Sequence, residues 1–351
     1  MERILIVKNQ TMGGGDRYCN NVISELKRTY IVEVCSPSNI DNNSHELFVK
    51  LYQYVRYVYF YLPEYYKKLG EEITKKKEYK KIIIFQDAYR KCPDIFQTLR
   101  EKSVYILHEP PREFYEPLNL HAPRLRDKLF TLIFRGPILL IDKINTKKAS
   151  LIIANSEFSK RKIYKIYNKK SIVVYPGVNI LSKRKRQRKH QCISVGSLLP
   201  YKGHEDAIRA IGRLSTIKPT LVIVGRGTDD QKRRLSELAE KLRVNIIIYS
   251  NPPDRVLGKL YRESLVYINC AYGEPFGMTA LEGLGHGCNL VTVNKCGTAE
   301  LKKYFPGNVY VTSGEDEDIS EKIEKALMTR RKEYDFRRFS WATVTNAIIS
   351  A

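Results

Sequence analysis

Apolar residues in the first half of the chain fall into short continuous runs separated by longer segments of mixed polarity. Ile4–Val7 is the first run, and a cluster of glycines follows it. A short run that is apolar throughout is typical of a strand buried on both faces of a parallel sheet. The same pattern predicts strands at 31–34, 82–85, 104–107, 151–154 and 172–175. The segments between them are long enough for helices, which indicates an α/β fold.

The pattern stops at a basic segment and then begins again. Residues 183–189 carry six basic side chains in seven and offer no apolar face, which predicts a solvated linker. Further strands are predicted at 192–195, 221–224, 245–248, 266–268 and 289–293. We therefore expect two α/β domains, 1–180 and 181–334, with a helix at about 335–351 packed back onto the first. Two such sheets facing each other leave a cleft at their strand carboxyl ends, where ligands of open α/β sheets bind.

Two segments of the first domain depart from the strand pattern. Leu51–Tyr66 is rich in tyrosine and is followed by lysines, which suits either a membrane interface or a core-packed helix that Pro63 breaks. Leu129–Ile141 is the longest apolar stretch, and Arg135 interrupts it. It is shorter than the ~20 residues that cross a bilayer, so a buried segment is predicted, with shallow membrane contact as the alternative.

Composition narrows the class of protein. The 351 residues are 43% hydrophobic and 28% charged, which indicates a globular chain. The net charge of +23 implies an anionic partner: nucleic acid, acidic lipid or a phosphorylated substrate. No helix-turn-helix, RRM or zinc pattern supports nucleic acid. Seven cysteines without a CxxC pair predict buried free thiols, and the N-terminus lacks a signal-peptide core, so we expect a cytoplasmic protein.

Two glycine loops follow predicted strands. In Gly13-Gly14-Gly15-Asp16-Arg17 the third glycine of a dinucleotide fingerprint is replaced by Tyr18, which disfavours NAD and leaves a tight turn or a loop close to a substrate. The second loop runs from Gly196 to Gly203. Gly196 permits close approach, and Lys202 can place its charge on a phosphate, although a single loop lysine is often only a solvated surface group.

A third segment carries paired carboxylates. Glu274 lies at the start of a predicted helix that begins near Pro275, a residue suited to the first turn, and Glu282 lies two turns further along it. Free N–H groups at such a helix start attract phosphate, and carboxylates accept hydrogen bonds from sugar hydroxyls. Glu274 is thus predicted to hold a hexose hydroxyl and Glu282 a ribose diol. The alternative is that both are exposed or act as partners of the helix dipole.

Together these segments resemble family 4 of the retaining glycosyltransferases, which have the GT-B fold. The spacing of Glu274 and Glu282 matches the E-x7-E signature of that family. A motif of this kind that follows a loop like that of Lys202 along the chain is specific to the family. Weaker matches are Gly13–Arg17, Asn155–Glu157, Pro176–Val178, Gly225-x-Gly227, Gly297–Glu300 and Phe339–Trp341. The resemblance spans nearly the whole chain.

The resemblance implies transfer of a hexose, with retention, from a GDP- or UDP-linked sugar to a glycan or polyprenyl-linked glycan. It implies a reaction that needs no metal or other cofactor. Its catalytic residues would be His108, Lys202 and Glu274, although a histidine at a strand end is also commonly structural. The donor-binding residues would be Gly14, Gly196, Ser197, Lys202, Arg226, Glu274, Phe276, Gly277, Met278 and Glu282. Lys202 and the N–H groups near Gly277 would stabilise the departing diphosphate.

One position departs from the family. Where the family has an arginine that pairs with the diphosphate, this chain has Ser197. Diphosphate binding would then depend on Lys202, on helix N-termini, or on Arg17 or Arg226. The departure keeps an alternative open, a sugar-nucleotide-binding protein of the same fold with weak or no transferase activity. A further hypothesis is loose attachment of the basic first domain to an anionic membrane surface at its inner face.

Overall fold

The computed structural model describes residues 1–10, 13–40, 47–76, 78–99, 102–117, 125–180 and 187–351. The chain divides into two compact units. Unit 1 comprises Met1–Pro176 and Trp341–Ala351, and unit 2 comprises Gly177–Ser340. The boundary thus falls slightly before the predicted one, and the helix that joins unit 1 begins at Trp341.

A six-stranded sheet forms the centre of unit 1. Its strands are β1 (Arg3–Val7), β2 (Ile31–Cys35), β3 (Tyr79–Phe85), β4 (Ser103–Ile106), β5 (Leu151–Ala154) and β6 (Ile172–Val173). Their order is β2-β1-β3-β4-β5-β6, and every neighbouring pair is parallel. Residues 4–7 of the inner strand β1 are fully buried, as their continuous apolar run predicts.

Unit 2 contains a second six-stranded parallel sheet. Its strands are β7 (Gln191–Val195), β8 (Thr220–Val224), β9 (Ile246–Tyr249), β10 (Val266–Asn269), β11 (Asn289–Val293) and β12 (Val309–Thr312), in the order β12-β11-β10-β7-β8-β9. The predicted α/β fold with two parallel-sheet domains is confirmed. The edge strand β12 was not predicted, although its run Val309–Val311 resembles the predicted run at 266–268.

Helices connect the strands in both units. In unit 1 they are α1 (Gly14–Leu26), α2 (Leu47–Arg56), α3 (Leu62–Lys76), α4 (Arg112–Tyr115), α5 (Leu125–Phe130), α6 (Gly136–Lys148), α7 (Glu157–Tyr167) and α13 (Trp341–Ser350), with π-helices at Tyr57–Tyr61 and Thr131–Arg135 and a 3-10 helix at Asp94–Gln97. In unit 2 they are α8 (His204–Gly212), α9 (Asp229–Lys241), α10 (Asp254–Glu263), α11 (Met278–Gly285) and α12 (Asp316–Met328), with 3-10 helices at Pro200–Lys202, Gly297–Lys303 and Arg337–Phe339.

The prediction that Pro63 breaks the tyrosine-rich helix is wrong. Helical structure continues from α2 through the π-helix Tyr57–Tyr61 into α3. Leu62 N–H donates to the Tyr57 carbonyl, five residues back, so the wider π turn lies directly before the proline. A π turn changes the hydrogen-bond register next to a residue that has no N–H to donate. Pro63 therefore enters the start of α3 without ending the helix.

The prediction that Leu129–Ile141 is buried is also wrong. Within this stretch only Ile138 is buried, whereas Leu132 and Ile133 are 59% and 63% exposed. The face of α6 that is buried is largely polar and includes Asp142 and Asn145. Because the stretch is apolar around the whole helix, its sequence could not indicate which face would be covered.

Other sequence-based expectations have mixed outcomes. All seven cysteines are free, and six of them are buried, as predicted. Among the described residues, no helix is long and apolar enough to cross a membrane. The solvated linker is only partly described, since 181–186 lie outside the described residues. The prediction fails at Arg188, which is half-buried and donates to the carbonyl of Ser264.

Candidate active site

Loops at the carboxyl edge of the unit 2 sheet hold most of the predicted site. The loop after β7 contains Gly196, and the loop after β8 begins with Gly225. Gly196 N–H donates to the Val224 carbonyl at 2.9 Å, and Leu198 N–H donates to the Arg226 carbonyl at 2.8 Å. A Cβ at Gly225 would overlap the Gly196 carbonyl oxygen. Glycine at that position therefore lets the two loops lie against each other.

Lys202 and Glu274 form an ion pair, which the sequence did not predict. Lys202 Nζ lies 2.7 Å from Glu274 Oε2, and the two side chains are 23% and 19% exposed. Next to the lysine, Gly203 has a left-handed backbone (φ 70°), and a Cβ there would overlap the Cys270 carbonyl. This close approach fixes the lysine loop against the end of β10. A cation and a carboxylate that can each bind a ligand are thus held together.

The helix after Glu274 begins later than predicted. α11 starts at Met278 rather than near Pro275, because Gly277 takes the left-handed conformation (φ 80°) just before it. A Cβ at Gly277 would lie 2.5 Å from Thr298 Oγ1, so the tight fit also requires glycine. No side chain of the described residues caps this helix. Its first N–H groups, from Met278 onward, therefore suit an anion.

Phe276 and Glu282, both predicted to bind the donor, have buried side chains. The Phe276 ring is 1% exposed and lies 6.5 Å from the Phe339 ring, so only its backbone can reach a ligand. Glu282 is 6% exposed, and Tyr261 O–H donates to its Oε2 at 3.3 Å. The carboxylate predicted to bind the ribose thus lies beneath the surface of unit 2.

His204 organises the site and was not singled out from the sequence. Its Nδ1 lies 3.0 Å from Ser194 Oγ, and its Nε2 lies 3.3 and 3.2 Å from the carbonyls of Gly196 and Ser197. Carbonyls only accept, so Nε2 carries the proton and Nδ1 accepts from the serine. Burial lowers the pKa of His204 to about 4, which keeps this arrangement neutral. Its place directly after Lys202-Gly203 was the available signal.

The backbone of Arg226 lies next to the loop that contains Ser197, the residue that stands where the family has an arginine. Its carbonyl is held by Leu198, the residue after Ser197, and its side chain is exposed. Ser197 itself is half-buried. The loop after β8, which carries the Arg226 guanidinium, therefore lies against the loop after β7, in which Ser197 replaces the arginine.

His108 follows β4 at the carboxyl edge of the unit 1 sheet. The Tyr18 ring packs edge-on against it with centroids 4.5 Å apart, and the Trp341 ring lies 5.3 Å from Tyr18. His108 Nε2 is enclosed and has no hydrogen-bond partner among the described residues. Burial lowers the pKa of His108 to about 4, so the ring is neutral near pH 7. Tyr18 and Trp341 are thus positioning residues that the sequence did not assign.

The first glycine loop leads into α1, which begins at Gly14. A Cβ at Gly14 would meet no atom of the described residues within 4 Å. Beside this edge, Asp87 is almost fully buried and accepts from Tyr66 O–H at 2.5 Å and Asn9 Nδ2 at 2.8 Å. These bonds tie the ends of β1 and β3 together beneath the loop. Met12 lies outside the described residues.

Comparisons with known proteins agree with this architecture. Residues 179–339 match the family model of the glycosyl transferases group 1. A glycosyltransferase of Methanocaldococcus jannaschii is 23% identical over 241 residues, which are 60% of this chain and 61% of that protein. The chain thus spans less than two thirds of the length of this relative.

Two solved structures cover nearly the entire chain. A glycosyltransferase from Rickettsia africae superposes with a TM-score of 0.65 at 18% identity, covering 99% of this chain and 93% of that one. HepE from Anabaena, in complex with UDP and glucose, gives 0.62 at 17% identity, covering 100% and 95%. Identities this low establish the fold alone. This chain therefore has the GT-B fold, and its residues 179–339 are similar to the glycosyl transferases group 1 family.

Proposed function

We propose that the protein is a retaining glycosyltransferase that moves a hexose from a GDP- or UDP-linked sugar to a glycan or polyprenyl-linked glycan. The observation that carries the proposal is the Lys202–Glu274 pair, whose Nζ and Oε2 atoms are 2.7 Å apart. Glu274 lies four residues before the start of α11, which no side chain of the described residues caps. HepE, which shares the fold, was solved with UDP and glucose, and this supports a nucleotide sugar as donor.

In the proposed reaction, the bond between the anomeric carbon and the diphosphate breaks as the acceptor hydroxyl attacks from the same face. The hydroxyl proton passes to the departing diphosphate oxygen. Negative charge grows on that oxygen, and Lys202 with the first N–H groups of α11 would stabilise it without a metal. Glu274 would exchange its ion pair for a hydrogen bond from a hexose hydroxyl, which orients the sugar.

Arg226 is proposed to supply the charge that Ser197 lacks. The two loops are joined by the hydrogen bond between Leu198 and Arg226, and the Arg226 side chain is exposed. A guanidinium can bind a phosphate through two parallel hydrogen bonds. Arg226→Gln should therefore weaken donor binding more than a substitution of an exposed arginine elsewhere.

His108 is proposed to contact the transferred sugar as a neutral hydrogen-bonding group. Its enclosed Nε2 lacks a partner among the described residues, and a sugar hydroxyl would satisfy it. Because burial lowers the pKa of His108 to about 4, it would not act as a cationic acid near pH 7.

The competing proposal is a sugar-nucleotide-binding protein without transferase activity. It is supported by Ser197, which replaces an arginine that pairs with the diphosphate in the family. The deciding experiment supplies labelled GDP- and UDP-sugars with a polyprenyl-diphosphate-sugar acceptor and detects the product by mass and by the NMR signal of its anomeric proton. Transfer with retention that Glu274→Gln abolishes would support the enzyme. Donor binding without turnover would support the competing protein, and neither binding nor turnover would contradict both.

We also propose that unit 1 contacts an anionic bilayer at the inner face of the cytoplasmic membrane. Exposed apolar side chains on two helical segments are Phe48, Tyr52, Phe60, Leu125, Leu129, Leu132 and Ile133. The segments touch, because the Tyr54 and Phe130 rings lie 5.7 Å apart and Tyr59 O–H donates to the Phe134 carbonyl. Exposed cations Lys50, Arg56, Lys147 and Lys148 lie on the same helical segments. Apolar residues with basic neighbours suit an acidic lipid surface.

Vesicle sedimentation tests this surface separately from activity. The Leu132→Ser/Ile133→Ser variant should lose binding to vesicles containing phosphatidylglycerol, while the control Ile217→Ser, at an exposed residue of unit 2, should bind like wild type. Equal binding by all three proteins, or binding to neutral phosphatidylcholine alone, would contradict the proposed surface.

A further inference from the structure

Unit 2 contains a large pocket at the edge of its sheet opposite the candidate active site. The cavity measures about 750 Å³ and is lined by Leu265, which precedes β10, and Asn289, which begins β11. Lys202 and Glu274 instead follow the carboxyl ends of β7 and β10. A ligand in this pocket would therefore be separated from the donor site by the sheet itself.

Positive charge dominates the pocket lining. Four arginines line it: Arg188, Arg262, Arg330 and Arg331. Among the described residues, the one carboxylate in the lining belongs to Glu333, which is exposed. Such an excess of guanidinium groups favours an anion, and phosphate in particular.

Two of these guanidiniums are brought close together by a glycine. Gly287 has a positive φ (100°), and a Cβ there would overlap Arg188 Nη2 and lie 2.5 Å from Arg331 Nη1. Both groups therefore pack against the same Cα atom. Burial and the charge of Arg188 lower the pKa of Arg331, as expected when two cations are neighbours.

Structural hydrogen bonds account for part of this arrangement. Arg188 donates to the carbonyls of Ser264 and His286, and Arg331 Nη2 donates to the Leu284 carbonyl at 3.3 Å. These carbonyls lie at the ends of α10 and α11, where cations are favourable. Each guanidinium has five N–H donors, so these bonds leave several unused. Arg331 Nε is buried and has no hydrogen-bond partner among the described residues.

Two buried acceptors in the lining also lack partners. His286 is 6% exposed, and its Nδ1 lies 2.8 Å from the Glu282 carbonyl, so Nδ1 carries the proton and Nε2 is an acceptor. Asn289 is 3% exposed and donates from Nδ2 to two carbonyls, which leaves Oδ1 as an acceptor. Neither acceptor has a hydrogen-bond partner among the described residues. A ligand that satisfies both must bring hydrogen-bond donors, and the hydroxyl groups of a sugar or polyol are suitable ones.

We propose that this pocket binds a phosphate ester that carries hydroxyl groups, such as a hexose phosphate, through Arg188 and Arg331 on its phosphate and His286 and Asn289 on its hydroxyls. A polyol-phosphate lipid headgroup has the same chemistry and is the second possible source. The site is independent of the proposed transferase reaction, because it shares no residue with the Lys202–Glu274 site.

Calorimetric titration of the full chain with glucose 6-phosphate, inorganic phosphate and glucose tests the proposal. Glucose 6-phosphate should bind more tightly than either of the others. Arg331→Gln should weaken it roughly ten- to hundredfold, the usual effect of losing a charged hydrogen bond. Lys202→Ala should leave it unchanged, which excludes phosphate bound at the donor site. The control Arg233→Gln alters an exposed arginine of α9 and should bind normally.

Thermal melting without ligand guards against a misfolded variant. Arg331→Gln should melt within a few degrees of wild type, because relief of the repulsion from Arg188 offsets the lost bond to Leu284. Phosphatidylcholine vesicles that contain phosphatidylinositol test the headgroup source in the Leu132→Ser/Ile133→Ser background, in which the membrane surface proposed for unit 1 is removed. Residual binding in that background that Arg331→Gln abolishes would support the headgroup as ligand of this pocket. Failure of all these probes to bind, or binding that Arg331→Gln leaves intact, would overturn the proposal.

Discussion

At the carboxyl edge of the second sheet, Lys202 and Glu274 already satisfy each other at 2.7 Å, whereas His108 at the edge of the first sheet keeps Nε2 without a partner among the described residues. In unit 2 the two charged groups therefore balance each other, whereas in unit 1 a neutral ring nitrogen is left to be paired by a ligand or by water. The family model covers 179–339 and thus falls within unit 2. The shared donor chemistry is therefore expected in unit 2, and features particular to this chain in unit 1.

The largest expected effect comes from breaking the ion pair of unit 2. Lys202→Ala and Glu274→Gln should each lower kcat for sugar transfer by about 10²–10³, the range for loss of one preorganised group that stabilises charge. The double variant should lose little more than the worse single variant, because residues that act as a unit are not additive. Initial rates with a labelled donor measure this.

Lys232→Ala is the matched control for that experiment, since Lys232 is paired with Asp229 on α9 and lies on an exposed helix. A double variant whose loss equals the product of the single losses would show that the two residues act separately and would contradict their proposed joint role.

A smaller effect, on stability, is expected from the glycine that fixes the lysine loop. Gly203→Ala should lower the free energy of unfolding by about 1–3 kcal/mol, because its left-handed backbone and its contact with the Cys270 carbonyl both exclude a Cβ. Urea unfolding measures the change. Gly136→Ala in unit 1, where a Cβ meets no atom within 4 Å, should be neutral or slightly stabilising. Equal effects at both positions would refute the close packing described for unit 2.

In unit 1 the buried carboxyl of Asp142 should make the free energy of unfolding depend on pH. The size of this effect should be similar to that of Gly203→Ala or smaller. Asp142 is fully buried and accepts from Tyr167 O–H at 2.6 Å, and burial raises its pKa to about 6. The folded chain then binds the proton more tightly than the unfolded chain, whose aspartate has a pKa near 3.9. Its contribution to stability is complete below about pH 4 and is lost as the pH rises through about 6.

Asp142→Asn cannot ionise, so the variant should not lose stability as the pH rises through about 6, and its amide oxygen can still accept a hydrogen bond from Tyr167. Its free energy of unfolding should exceed that of wild type by on the order of 1–2 kcal/mol at pH 8, and the difference should shrink at pH 5. Urea titrations at the two pH values measure both differences. The exposed Asp230→Asn serves as control, and a difference for Asp142→Asn that is the same at both pH values would show that the carboxyl does not titrate in this range.

The smallest effect is expected at His108. His108→Ala should lower the transfer rate by about tenfold, as for one neutral hydrogen bond. Because its pKa is lowered to about 4, the ring stays neutral above that value, so wild type and variant should have pH–rate profiles of the same shape between pH 6 and 8. An ionisation seen in that range only in wild type would show that His108 acts as an acid or a base.

The parallel sheets could be predicted from the sequence because a continuous apolar run such as Ile4–Val7 is stable when both of its faces are buried. The prediction of burial failed where contacts with distant parts of the chain determine which side chains are covered. The apolar residues of Leu129–Ile141 are exposed or half-buried except for Ile138, while the charged residue Asp142 is buried and accepts a hydrogen bond from Tyr167 through its Oδ2. The identity of Lys202 and Glu274 followed from the motif, but their pairing depends on loops brought together by tertiary contacts. The half-buried position of Arg188 beside Gly287 could not be foreseen, because residues 183–189 have the composition of a solvated segment.

Calorimetric titration of UDP-, GDP- and ADP-sugars into wild type and Lys202→Ala tests the central claim most directly, with Arg331→Gln as a control outside the donor site. We predict that one nucleotide class binds wild type and Arg331→Gln alike, and that Lys202→Ala binds it at least tenfold more weakly, as loss of one charged contact to phosphate implies. Binding that is unchanged in Lys202→Ala, or no binding by any of the nucleotide sugars, would contradict the assignment of this edge of the sheet as a donor site.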